Sequence, residues 1–246
     1  MRTRTHISLT IIFGLIGAVP AALAQTSSGT GNSEVSERLA AVVKSLQESA
    51  QRLRSYEWIE TTAVSFKGEE KSRKEERCYY GADGKLQKVP ISAPPPPPEK
   101  KGGVRGRVAE SKKEEISGTM KDAIALVKKY VPPDPALLKK SKDAGKASTE
   151  VVQPGKVVRL VFKDYQLPGD ALNITLDAAN NRLGGLSVAS YLGKPSDAVN
   201  LDARMGALDD GTTYPADIQL AVKSANIAVH ITNSGYRKTG SSAGSN

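Results

Sequence analysis

Residues Asp170–Gly193, DALNITLDAANNRLGGLSVASYLG, alternate apolar and polar side chains, break at Asn180-Asn181, and alternate again. Leu172, Ile174 and Leu176 fall on one side, and Asn173, Thr175 and Asp177 on the other. That period of two is the mark of a half-buried strand. The stretch therefore reads as a strand that folds back on itself, greasy on one face and wet on the other.

The same rhythm extends in both directions. Upstream, Val158, Leu160 and Phe162 alternate; downstream, Val199, Leu201, Ala203, Met205 and Ala207 share a face opposite Asn200, Asp202 and Arg204. DDGT turns the chain into Ile218, Leu220 and Val222, and KSAN turns it again into Ile227, Val229 and Ile231, with His230 on the polar side. Connections this short make an antiparallel meander, because parallel crossovers need a dozen or more residues.

The first half of the chain is organised differently. From Ser33 the spacing of Val35, Leu39, Val42, Leu46 and Leu53 predicts an amphipathic helix. Ser33 is its expected cap, and Glu34 and Glu37 suit the positive helix end. YEWIETTAVSF then switches the period to two, with Tyr56, Trp58, Val64 and Phe66 on one face. A charged strand follows, ending in Cys78, Tyr79 and Tyr80; GADGK turns the chain, and LQKVPI forms a third strand that Pro90 confines to an edge or an end. After the proline-rich run comes a helix expected from about Val108 to Tyr130, with Ile116, Met120, Ile124, Val127 and Tyr130 as its stripe. A short helix follows, with Asp134 as cap, Pro135 at its first position and Gly145 past its end.

One sheet of about eight to ten strands must twist and curl. Its apolar face needs cover, and the sequence offers helices rather than a second family of strands. The expected fold class is α+β: a strongly curved antiparallel sheet with helices across its concave apolar face.

The flanks set the address. Arg2 and Arg4, the apolar Ile7–Val19 and the small residues of AALA before Gln25 form a secretory signal peptide, with cleavage expected after Ala24. No Cys follows that point, so no lipid anchor is expected, and the destination in a Gram-negative cell is the periplasm. The expected organisation is a signal peptide over 1–24, a disordered leader over 25–32, one domain over 33–238 and a disordered tail over 239–246. Within the domain, residues 93–107 form a proline-rich basic loop, stiff and then flexible, that acts as a spacer.

Only Cys78 is present, so no internal disulfide staples the fold. The net charge is +9, and removing Arg2 and Arg4 leaves +7. A basic chain suits nucleic acid or an anionic membrane surface. Export argues against nucleic acid, as does the lack of aromatics among the basic residues of the loop. Lys100, Lys101, Arg105 and Arg107 are the expected contacts with anionic headgroups.

No catalytic residue, metal ligand or cofactor is expected. His230 is the sole His after His6 leaves with the signal, and no Ser-x-x-Lys pattern accompanies it. Cys78 reads as strand packing; one Cys and one His make no zinc cluster. Asp209-Asp210-Gly211 is a turn between strands rather than a calcium loop, and Gly102-Gly103 and Gly184-Gly185 lack the strand-to-helix context of phosphate loops.

The order of parts carries a resemblance. A signal peptide, a helix ending in LRSYEWIETTAVSF, a charged strand with YYGADGKL, helices mid-chain and then a long meander resemble the periplasmic lipoprotein-carrier superfamily of LolA and LolB. YVPPDP, PGDAL, LDDGTTYPA and NSGYRK are also similar to stretches of uncharacterised exported bacterial proteins. The superfamily resemblance implies an open half-barrel with a helical lid over a hydrophobic cavity. Two roles stay open. One is a non-catalytic binder of an acyl chain, lipid or lipidated protein in a groove lined by Tyr56, Trp58, Val64, Leu172, Ile174, Leu201 and Met205. The other is a structural or protein-interaction module of the cell envelope with a solid core.

Overall fold

The computed structural model describes residues 30–91 and 104–239. The signal peptide, most of the leader, the run 93–103 with Lys100 and Lys101, and the tail from residue 240 lie outside the described residues.

Among the described residues, three helices and ten strands follow in the order α1 (Thr30–Leu53), β1 (Tyr56–Phe66), β2 (Glu69–Tyr80), β3 (Leu86–Pro90), α2 (Val104–Val127), α3 (Pro135–Asp143), β4 (Ala147–Gln153), β5 (Val157–Lys163), β6 (Ala171–Asp177), β7 (Arg182–Tyr191), β8 (Ala198–Ala207), β9 (Thr213–Val222) and β10 (Ile227–Lys238). All strands join one antiparallel sheet in the order β3-β2-β1-β10-β9-β8-β7-β6-β5-β4. The opening stretch is the β6–β7 hairpin, with Leu172 opposite Val188 and Ile174 opposite Leu186. The chain therefore makes two meanders, and β10 returns beside β1 to join them. The sheet stays open, with β3 and β4 as its edges. Register shifts in β1–β10, β1–β2, β4–β5, β6–β7 and β8–β9 mark bulges, which bend strands and increase their twist. At Gly235, φ is +63°, a left-handed value that suits glycine, and the β1–β10 register slips there by one residue.

The α+β expectation holds, with details corrected. Helix α1 starts at Thr30, so Ser33 lies inside it rather than capping it. Helix α2 starts at Val104, within the stretch expected to be loop, so Arg105 and Arg107 are helical; it ends at Val127, leaving Tyr130 in the following turn. Helix α3 is capped as expected: the Asp134 carboxylate accepts from the Ala136 N–H at 2.8 Å. The second meander holds seven strands, among them the exposed edge strand ASTEVVQ, which lacks the alternation that reveals the others. Thr239 is tied down, its N–H donating to the Ser55 carbonyl at 2.8 Å.

The helices cover the sheet's apolar face. Leu160, Leu172, Ile174, Leu186, Val188, Leu201, Leu220 and Val229 form one buried cluster with Val42, Leu46 and Leu53 of α1, Met120, Ile124 and Val127 of α2, and Leu138 of α3. Helix α1 packs on β1, β7 and β9, crossing the seam between the meanders, while α3 packs on β4 and β5. Burial of this aliphatic surface, at roughly 25 cal/mol per Å², is the main force holding helices to sheet.

The expectation of one uniformly apolar face fails on strands β1–β3. Glu60 lies opposite Asn233 and Glu76, on the face that further along β1 carries Val64 and Phe66. Glu60 and Glu76 are both buried. A pattern that alternates correctly over YEW and VSF hides the charge between them.

Candidate functional site

The seven residues expected to line a groove separate into two groups. Leu172, Ile174 and Leu201 are buried in the aliphatic cluster, and Val64 and Met205 pack against it half-buried. Tyr56 and Trp58 are buried outside that cluster, toward the far end of β1. Met205 sits at the β8–β9 bulge, and Ala207, expected on the same face, is exposed.

Trp58 organises the second group. Its indole N–H donates to the Asn233 side-chain oxygen at 3.1 Å, and its ring stacks on Tyr236 at 5.5 Å and meets Tyr80 at 6.1 Å. Tyr214 leans on Tyr236 at 4.3 Å. Beside these rings the Lys88 ammonium of β3 reaches across β2 to the Glu60 carboxylate of β1 at 2.5 Å, and Lys74 pairs with Glu76 at 2.6 Å. Cys78 lies beneath this arch, fully buried, and burial pushes its thiol up to about 12, so it is held as an unreactive thiol. The Tyr236 hydroxyl is enclosed without a hydrogen-bond partner, and burial raises its pKa. The inner face of this wing is thus aromatic and ionic.

Polar bonds between helices and sheet gather at two places. The first is the C-terminal end of α1. There the Ser49 hydroxyl accepts from the Thr213 N–H at 2.9 Å, and the Arg52 guanidinium donates to the Thr212 hydroxyl at 2.9 Å. Tyr56, just beyond, donates to Asp210 at 2.7 Å, and the Asp210 carboxylate also accepts from the Thr212 N–H at 2.9 Å. The DDGT turn anticipated from sequence therefore also receives the end of α1. Bonds from Thr212 and from Tyr56 hold the Asp210 carboxyl down at about 2.

The second place is the C-terminal end of α2. The Tyr130 hydroxyl donates to Asp170 at 2.5 Å and accepts from the Ser190 hydroxyl at 2.8 Å. Asp170 is buried and also accepts from the N–H groups of Tyr165 at 2.6 Å and Leu167 at 2.7 Å. Tyr165 in turn accepts from the Asp134 N–H at 2.7 Å, at the start of α3. Burial, with Asp170 beside it, raises the Tyr130 hydroxyl's pKa. Between these two anchor points the described core residues Val42, Leu46, Met120, Ile124 and Val127 meet the sheet as apolar side chains. Among the described residues no backbone–backbone hydrogen bond ties a helix to a strand.

Sequence reasoning passed over Asp170, Ser190, Ser49, Arg52, Glu60 and Lys88. For Asp170 a signal existed: PGD between two strands is a loop in which an Asp can collect backbone N–H groups. The others gave none.

Two pockets formed by described residues lie away from the seven. One, of about 230 Å³, opens between α2 and the β9–β10 turn, lined by Phe66, Ile116, Thr119 and Asn226. The other, of about 210 Å³, lies between α3 and the β5–β6 connection, lined by Lys140, Lys146, Asp164, Leu167 and Pro168. His230 lies on the opposite, polar face, where its Nε2 meets Asp217 at 2.6 Å and Arg204 pairs with the same carboxylate at 3.0 Å. No group of three or more potential metal ligands is found among the described residues.

No family model and no curated protein sequence matches the chain. Solved structures do resemble it. A DUF1329 family protein from Desulfovibrio piger shares 9% identity over 85% of this chain and 95% of that one, with a TM-score of 0.34. A LolA superfamily protein from Nitrosomonas europaea shares 9% over 79% and 92%, at 0.32. A domain described as that of an outer membrane lipoprotein-sorting protein, from Vibrio parahaemolyticus, shares 11% over 84% and 95%, at 0.32. At this degree of likeness, ligand and role rest on this chain's own residues.

Proposed function

We propose that the protein is a non-catalytic carrier of an acyl chain or lipidated polypeptide in the periplasm, taking its guest between the helices and the sheet. The observation that carries this reading is the pattern of attachment. Among the described residues, polar bonds join the covering helices to the sheet side near the ends of α1 and α2 and at the start of α3, while Val42, Leu46, Met120, Ile124, Val127 and Leu138 meet it as apolar side chains. Apolar contacts exchange readily for a hydrocarbon guest, since lipid methylenes satisfy Leu172, Ile174, Leu201 and Val64 as well as helix side chains do. Each methylene moved from water contributes about 0.8 kcal/mol. No sheet hydrogen bond need break. Tyr56 and Trp58 would meet the polar end of the guest, beside the Glu60–Lys88 pair. The same proposal includes export with cleavage after Ala24, and contact of Lys100, Lys101, Arg105 and Arg107 with an anionic membrane surface.

A second reading, a solid-cored interaction module, is favoured by the near-complete burial of Leu172, Trp58 and Leu201, which line neither pocket described above. Titration with a fluorescent fatty-acyl probe separates the two. The carrier binds it at micromolar strength, and Leu201→Ala, folded by circular dichroism, binds it more weakly. A wild type blind to acyl probes, detergents and lipidated peptides refutes the carrier.

A further inference from the structure

Lysines concentrate where α2 ends, α3 passes, and β5 leads into β6. Lys128 and Lys129 follow α2, Lys139, Lys140 and Lys142 lie on α3, Lys146 precedes β4, and Lys163 ends β5. All seven are exposed. Hydrogen bonds place them at one corner of the molecule. The Lys163 N–H donates to the Lys146 carbonyl at 2.9 Å, and the Gln166 side chain donates to the Lys129 carbonyl at 2.8 Å. Lys140 and Lys146 line one pocket together with Asp164, Leu167 and Pro168.

The carboxylates of this corner are largely committed. Asp143 pairs with Lys139, and Asp164 pairs with Lys146 at 2.9 Å. Asp134 caps α3, and Asp170 is buried under backbone N–H groups and Tyr130. Lys128, Lys129, Lys140, Lys142 and Lys163 have no ion-pair partner among the described residues. The negative end of α3 accounts for Lys140 and Lys142. It does not account for Lys128, Lys129 and Lys163, which belong to other elements whose backbones meet at this corner. Five exposed cations without an ion-pair partner among the described residues, on segments that meet at one corner, match the charge of a plane of anionic headgroups. The phosphates would meet Lys140 and the other unpaired lysines, and exposed Pro168 would meet the glycerol level.

We propose that this corner docks the protein onto the surface of an anionic lipid bilayer. The inference is separate from what the interior holds, and from the basic run at Lys100–Arg107.

Vesicle flotation tests it, using full-length mature protein with phosphatidylglycerol–phosphatidylcholine vesicles and with pure phosphatidylcholine vesicles. Wild type should float with the anionic vesicles only, and should be released when salt shortens the screening length to about 3 Å. Lys140→Gln/Lys142→Gln/Lys163→Gln should weaken anionic-vesicle binding by at least about tenfold, since each cation near the surface contributes separately. An unchanged melting temperature and unchanged acyl-probe binding in that variant keep the docking result apart from the carrier question. Glycerol phosphate at millimolar concentration should not compete, as a free anion meets only part of the surface. The proposal is overturned if wild type fails to float, if the triple variant floats as wild type does, or if Lys100→Gln/Lys101→Gln/Arg105→Gln/Arg107→Gln alone abolishes flotation. Failure with vesicles alongside binding to an acidic protein would equally remove the bilayer as the occupant.

Discussion

Strands β5–β10 and strands β1–β3 share one hydrogen-bonded ladder yet use their inner faces in opposite ways. On β5–β10 the inner positions are mainly Leu, Ile and Val, covered by helices and held mostly by buried area, with polar bonds at Ser190, Thr213 and Asn233. On β1–β3 they include Trp58, Glu60, Glu76, Cys78 and Lys88, held by specific pairs. The first arrangement is non-directional, so its cover can be exchanged for another apolar body. The second is directional, since a buried charge that loses its partner has no substitute in hydrocarbon. If the interior takes a guest, the physical division predicts tail on β5–β10 and polar end toward β1–β3.

The largest effect expected is from charge in the aliphatic half. Leu172→Asp puts an unpaired carboxylate at a site with no solvent access, at a cost of several kcal/mol, and should yield protein without a cooperative urea transition. Leu201→Ala should remain folded, with stability lower by about 2–5 kcal/mol. If Leu172→Asp folds normally, the two halves do not differ as described.

A smaller loss should follow in the ionic half. Glu60→Ala strands Lys88, whose side chain keeps 17% exposure, so the loss should be nearer about 2 kcal/mol than the full cost of a sealed charge. Glu60→Leu/Lys88→Met should recover most of it. Cys78 gives a local readout: thiol labelling should be negligible in wild type, faster in Glu60→Ala, and slow again in the double variant.

At the anchor of α2, Tyr130→Phe removes the donor to Asp170 and the bond to Ser190 while keeping the ring, for a loss of about 1–3 kcal/mol. Amide exchange should rise first along α2 and α3, with the sheet still protected. Uniform loosening of helices and sheet together would argue against attachment at the ends.

The smallest effect is electrostatic. The Asp210 carboxyl lies at about 2 in the folded chain, against about 3.9 for an unfolded Asp. A folded-state pKa below the unfolded one gives stability that is fully present above about pH 4 and is lost as pH falls toward 2. Asp210 is exposed, so solvent screens the gain. Tyr56→Phe should flatten the slope of stability against pH between about 4 and 2, leaving neutral-pH stability within about 1 kcal/mol. An unchanged slope would remove Tyr56 as a partner of Asp210.

The strands were legible because each repeats a period of two, and the α3 cap because Asp134-Pro135 and Gly145 act within one turn. Those are local properties, set by neighbours a few residues apart, and they carry the α+β class, the β6–β7 hairpin and the edge position of β3 directly from sequence. The polar edge strand β4 and the starts of α1 and α2 were less legible, since no apolar rhythm marks them.

Tertiary structure alone decided that β10 returns to β1 and brings Trp58 to Asn233, residues 175 positions apart. It alone placed Glu60 against Lys88 and Tyr130 against Asp170 and Ser190, and gathered seven lysines at one corner. These are meetings between distant segments, and their partners are chosen by strand register and helix packing, which no local pattern records.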